Sequence, residues 1–493
     1  MTSDPLGLRY EEVARLRPVD PVSAVDRPVS RTRPGRTSVP PLPRRAPYAA
    51  VRAGLADREP LTLSLTGPDL LLRAAYDGEH CRLELDGVTG PVVLRSRRDG
   101  RAADATALAL CLTGTHAAVL TQDHEGGPWT GRARVDLATS HPRAARLTRS
   151  PTWLEDLQVG HDGAATDLVA GGFGQLGLRD LRLVTHADGR PYADGSGRLH
   201  LTATSAGPGP FGTAHTSVWA LDPARLGSTA GAPGSGALTH TADLFVRRRG
   251  SSAVLGDHAG HLLRDDDAWL LATSTWGDFD PDRHDASVAV TLAETGADLL
   301  HGVHVVPGEP LPLPADDPSV GVWDPHLLRT DDGWLVGYVS ATRFFRFHPV
   351  IAQGPDLDSL RLRAADPFRR ASEGTTLLVL PPGSGGSGGS GSPHGPAGPA
   401  GGGSPGGAPR AIVLVSDGRD GPRAARGQWA VLDLDLRTRG VLEAAYPTNI
   451  PWPTLVPHGE DWLLVTFDDT RQGGRVCGYG THGDVVVMRG VRH

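Results

Sequence analysis

The chain has 493 residues, with 49 basic against 56 acidic side chains and a net charge of −7. It contains no lysine, and its arginines are interspersed with acids, so no basic stripe exists for a nucleic-acid backbone to follow. No stretch approaches the roughly 18 apolar residues of a membrane-spanning helix, and the charged opening MTSDPLGLRYEEVARLRPVD lacks the apolar run of a secretory leader.

The expected location is therefore cytoplasmic, with no nucleic-acid or membrane partner. The 64 glycines and 42 prolines suit a chain of many turns and few helices. Cys81, Cys111 and Cys477 are too few and too scattered for a disulfide framework or a zinc site, and read as buried, inert thiols.

Residues 1–60 are rich in Arg, Pro and Val without periodicity, and read as a disordered arm. From Leu61 the texture changes to short alternating runs: Leu61–Leu65, Leu70–Tyr76, Cys81–Asp86, Pro91–Arg95, Ala105–Thr113, Ala117–Thr121 and Thr130–Leu137. Polar or glycine turns separate them, which predicts a small β-sandwich over residues 61–150. Residues 151–176 read as a linker with a short helix over Thr152–Leu157.

Between residues 177 and 490 one pattern recurs. His261–Ser274 reads HLLRDDDAWLLATS and His326–Ser340 reads HLLRTDDGWLVGYVS, each an apolar strand, an acidic turn and a strand opening on Trp-Leu. Pro453–Asp469 repeats the pattern with Trp462 in the place of Trp334. Asp180–Val184 with Arg198–Gly207, and Glu373–Leu380 with Arg410–Gly418, supply two more strand–turn–strand units. A small twisted sheet covers both its faces only by stacking on neighbours, so five such units predict a five-bladed β-propeller. The competing architecture is a pair of β-sandwiches. Trp269, Trp334 and Trp462 recur in register and read as packing between blades. The turns Asp265–Asp267 and Asp331–Asp332 read as solvated hairpins. Residues 381–409, low in complexity, fall between the two strands of the fourth unit and read as a long hairpin loop, not a domain boundary.

The first strand of each propeller blade lines the axis. Aligned on the repeat, the entry positions hold Asp180, His258 or Ala259, Asp324, Glu373 and Trp452. A lone Asp at a strand start is ordinarily a turn or cap residue; three carboxylates at matching positions of three units point instead to chemistry.

This arrangement resembles the five-bladed propeller glycoside hydrolases of family 43 and their relatives in families 32, 62 and 68. In that group an Asp-Pro motif in the first blade supplies the general base, a second in the third blade tunes pKa values, and a Glu-Gly motif in the fourth supplies the general acid. Asp180, Asp324-Pro325 and Glu373-Gly374 match these in order. The acid of the group also sits one residue before the position equivalent to the third-blade Asp, as Glu373 does when Thr376-Leu377-Leu378 is laid on His326-Leu327-Leu328. Gly480–Val485, GTHGDV, resembles the last-blade segment whose His, here His482, approaches the central ion or water. Leu181 stands where the group has Pro, the second unit has Gly-Asp-His-Ala in place of the usual motif, and the extra sandwich precedes the propeller.

The resemblance implies a glycosidase acting on an oligosaccharide, with inversion as the expected outcome. It calls for no cofactor and leaves room for a structural calcium near the axis. Trp276, Trp323 and Trp452 are candidate sugar platforms, and His258 and Arg343 candidate hydroxyl partners. The alternatives are a propeller that binds carbohydrate without cleaving it and a protein-interaction scaffold.

Overall fold

A computed structural model describes residues 4–31, 40–226, 236–316, 318–344, 346–380, 410–418, 427–447, 450–468, 472–477 and 483–492. The chain is mainly β, with short helices confined to turns and connections. Among the described residues no helix is long and apolar enough to cross a membrane, and Cys81, Cys111 and Cys477 are free and buried.

Two sheets form the N-terminal part. One has the order Gln158–Gly163, Leu61–Gly67, Leu70–Tyr76, Cys81–Gly87, Val92–Leu94. The other runs Trp129–Asp136, His116–Gln122, Ala107–Thr113, Tyr48–Leu55, Ala165–Gln175, Asp20–Val22. Buried and part-exposed residues alternate along Leu61–Gly67 and Cys81–Gly87, so each strand turns its leucines to one side. Leu63, Leu72 and Leu83 from one sheet share a core with Val51, Leu110 and Val119 from the other, and Trp153 packs into it.

Four more sheets hold the rest of the strands. The nine-stranded one contains two meanders. Leu178–Leu183, Leu199–Ser205, His215–Leu221 and Leu238–Arg248 form the first; His258–Asp265, Ala268–Ser274, Val290–Thr295 and Gly302–Pro310 form the second. They join where Leu238–Arg248 pairs in parallel with Gly302–Pro310. Gly321–Thr330 opens one four-stranded meander and Ser372–Leu380 opens another. The last sheet runs Thr454–His458, Asp461–Asp468, Asp484–Val491, Arg9–Leu16, with Glu443–Ala444 at its edge. Trp269, Trp334 and Trp462 are all buried against neighbouring strands.

Buried side chains tie the opening strands of these meanders to one another and to the second strands of neighbouring meanders. The Ala259 N–H donates to Thr204 Oγ1 (3.2 Å) and the Asp324 N–H to Ser274 Oγ (2.9 Å). The Leu327 N–H donates to His261 Nδ1 (3.2 Å) and the Leu377 N–H to His326 Nδ1 (2.7 Å). Because each Nδ1 accepts, both imidazoles are neutral, and burial keeps their pKa values well below the usual histidine range. Arg182 donates to Thr375 O (3.2 Å) and Thr376 Oγ1 (3.1 Å), and Thr454 Oγ1 to Leu181 O (2.7 Å).

The disordered arm expected over residues 1–60 is corrected here. Arg9–Leu16 lies antiparallel to Asp484–Val491, Tyr48–Leu55 is a central strand, and Asp20–Val22 and Val29–Arg31 pair with Ala165–Gln175. Composition pointed to disorder because these strands find partners far along the chain, and their exposed faces carry the charges. The linker expected over 151–176 is likewise structured: its helix occupies Pro151–Glu155, and two strands follow it.

Residues 381–409 lie outside the described residues, but the strands that flank them are paired, with Leu380 opposite Arg410. Replacing 381–409 by an Asn-Gly turn should therefore leave the melting temperature unchanged within about 2 °C. Differential scanning calorimetry checks this; a larger drop would mean that the segment packs on the fold.

Candidate active site

Four of the opening strands break register at the same place: between Arg179 and Arg182, His258 and His261, Trp323 and His326, and Glu373 and Thr376. Each break carries one residue with left-handed backbone: Asp180 (φ 54°), Ala259 (φ 56°), Asp324 (φ 61°) and Gly374 (φ 69°). A bulge of this kind re-aims the side chains around it. A non-glycine residue there costs about 1–2 kcal/mol, and in proteins generally such strain clusters at active sites and ligand clamps. In the fourth unit the left-handed residue is a glycine because a Cβ would lie 2.5 Å from the Trp452 ring, so the carboxylate is carried one residue earlier, on Glu373.

Asp180 and Asp324 are each 3 % exposed, and the Glu373 side chain 13 %. Arg179 ties two of them: its Nε is 2.9 Å from Asp180 and one terminal nitrogen 3.9 Å from Glu373. Both contacts share one planar guanidinium, so the two oxygens lie no more than about 9 Å apart.

Burial raises the Glu373 pKa to about 7; Arg179 opposes that rise, and the charge of Asp180 adds to it. The Trp452 indole also lowers it, although its buried N–H has no hydrogen-bond partner among the described residues. Asp324 is held well above the carboxylate range by burial, then by the charges of Glu373 and Asp180. Its Oδ2 is buried with no hydrogen-bond partner among the described residues.

Beneath these groups Arg182 is fully buried, with its guanidinium 4.5 Å from the Trp452 ring centre. Burial lowers its pKa to about 10, against the pull of Asp324 and Asp180. Arg179 and Arg182 are absent from the sequence-based candidates. Yet Arg182 sits at the register position of His261 and His326, where the repeat would have revealed it.

The other candidates fall in different settings. His258 is fully buried, its Nδ1 2.9 Å from Gly256 O, and burial lowers its pKa to about 4 while nearby Asp180 pulls it upward. Trp276 and Trp323 pack against each other at 5.3 Å, with Phe211 stacked on Trp276 at 4.7 Å. Trp452 lies against Arg182 and Gly374. These three tryptophans are 7 %, 4 % and 1 % exposed, so none offers the open ring face expected of a sugar platform. Apolar packing around the opening strands takes the indoles inward instead. Arg343 is exposed at the end of Gly333–Arg343. His482 lies outside the described residues. Among the described residues no group of three or more His, Cys, Asp or Glu is arranged to hold a metal ion.

No protein-family model matches the sequence. No curated protein matches it either. Among solved structures the chain is similar to the GH32 β-fructofuranosidase BmSUC1 of Bombyx mori, at 13 % identity and TM-score 0.39 over 64 % of this chain and 60 % of that one. It thus spans about 60 % of that enzyme's length. It is similar to a GH43_1 enzyme of Xanthomonas citri complexed with xylose (14 % identity, TM-score 0.35, 64 % of this chain and 88 % of that one). It is also similar to a levansucrase variant of Bacillus subtilis (10 % identity, TM-score 0.41, 64 % and 86 %). These are likenesses of overall architecture; what the carboxylates can do rests on their own geometry.

Proposed function

We propose that the five meanders are the blades of a β-propeller, that the two N-terminal sheets form a sandwich against it, and that the bulge level of the opening strands is the active centre of a glycoside hydrolase acting on an oligosaccharide. Glu373 is the general acid, Asp180 the general base whose charge also favours the protonated form of Glu373, and Asp324 a buried neighbour that the same two carboxylates hold neutral. The observation that supports this reading is the gathering of three carboxylates at one repeated bulge, with Glu373 titrating near 7. Hydrolysis needs one protonated and one ionised carboxyl flanking the glycosidic bond, and two acids whose environments differ supply that division. The upper bound of about 9 Å on the Asp180–Glu373 separation is compatible with the roughly 6.5–9.5 Å of inverting enzymes, which leave room for a water, and equally with the roughly 5–5.5 Å of retaining ones.

A panel of aryl glycosides and short oligosaccharides tests the reading. With a hydrolysed substrate, kcat/KM should fall as pH rises through about 7, because Glu373 loses the proton it must donate above its own pKa. A rate that keeps rising through pH 8 would remove Glu373 from the role of acid.

A second reading, sugar binding without cleavage, is favoured by one observation: the Arg179 guanidinium already engages Asp180 and lies beside Glu373. Saturable oligosaccharide binding with no hydrolysis anywhere in the panel would select it.

A further inference from the structure

A cleft of about 460 Å³ opens between the N-terminal sheets and the nine-stranded sheet, and it shares no residue with the carboxylate site. Four guanidiniums reach it: Arg44, Arg45 and Arg149 from the N-terminal part, and Arg247 from the strand Leu238–Arg248. Arg44 is neutralised by Asp26. Among the described residues Arg45 and Arg247 form no ion pair, and Arg149 Nε is buried without a hydrogen-bond partner. Glu155 is the one acid in the lining. Three unpaired cations against one carboxylate leave an excess of two positive charges over a floor that includes Leu154 and Val254.

We propose that this cleft binds a small organic phosphate monoester. Such a group carries about −1.5 to −2 charges at neutral pH and presents three acceptor oxygens, which match the excess charge and the forked donors of arginine. The apolar floor suits an organic body, and the volume falls within the roughly 300–1,000 Å³ of small-molecule sites. A ligand seated here bridges the N-terminal part and the nine-stranded sheet, so binding also stabilises their junction. The inference is independent of the hydrolase reading.

The test is calorimetric titration of the full chain with phenyl phosphate and with inorganic phosphate at physiological salt, paired with a thermal-shift series. Phenyl phosphate should saturate one site with Kd below about 1 mM and raise the melting temperature, and inorganic phosphate should bind more weakly. Arg45→Ala with Arg247→Ala, both at exposed positions, should weaken phenyl phosphate at least about tenfold, as the loss of two charge-assisted partners requires. Arg190→Ala with Arg283→Ala, exposed arginines elsewhere, should leave it unchanged, as should Glu373→Gln. Absence of saturable binding overturns the proposal. So does an equal loss in both double variants, which would be diffuse charge attraction, or a loss on Glu373→Gln, which would place the ligand in the carboxylate site. Inorganic phosphate binding as tightly as phenyl phosphate would overturn the organic-ligand assignment.

Discussion

Glu373→Gln is expected to lower kcat on an oligosaccharide by about 10²–10⁴-fold, the usual contribution of a positioned general acid, while binding of the same sugar persists. The amide keeps the shape of the protonated acid, so a site prepared for a neutral Glu373 loses little in the ground state. What it loses is the proton for the departing oxygen. The loss should accordingly depend on the leaving group: large for an alkyl or sugar alcohol, small for an activated phenol that departs without protonation. Stopped-flow rates on two such substrates read this directly. Equal losses on both would mean a structural role for Glu373, and no loss on either would remove it from the chemistry.

A chain lacking residues 1–17 is expected to melt more than about 10 °C lower, or not to fold. Arg9–Leu16 pairs with Asp484–Val491, and Leu8 and Tyr10 pack into the core that holds Trp462, Leu464 and Met488. Exposing side chains of that size costs about 1.5–3 kcal/mol each. Asp484, 3 % exposed, loses Arg17 at 2.5 Å and Arg15 at 3.4 Å. Leaving a buried charge without its partners costs about 3–5 kcal/mol, and the total rivals the 5–15 kcal/mol that holds a typical protein together. Circular dichroism melts of the two chains give the comparison, with a peptide covering residues 4–17 added in trans as the rescue. An unchanged melting temperature would show that the strand is dispensable.

The repeat made the middle of the chain readable. The acidic hairpins and the tryptophans in register located the strand pairs, and they set Glu373 one residue ahead of the level of Asp324. The structure reproduces that offset as Glu373 beside a left-handed Gly374. The bulge itself was not legible. Left-handed backbone is expected of glycine, and three of the four positions hold Asp180, Ala259 and Asp324.

The arginines under the site escaped notice because charge is read as surface, whereas Arg182 is wholly buried on backbone and hydroxyl oxygens. Trp276, Trp323 and Trp452 were read as sugar platforms for their flat faces and lie buried, where the same flatness packs well. The opening segment was illegible for a different reason. Its alternation, with Tyr10 and Ala14 buried and Arg9, Glu11 and Glu12 outward, is plain once the partner strand is known. No local signal names a partner at Asp484–Val491.

That pairing has a consequence for how the protein is made. At about 5–20 residues per second, synthesis of the chain between Arg9–Leu16 and Asp484–Val491 takes roughly 25–95 s. Throughout that interval the first strand emerges from the ribosome with both edges bare. Its outward arginines and glutamates discourage a premature match with another nascent copy, so the residues that made the segment look structureless keep it available until its true neighbour has been translated.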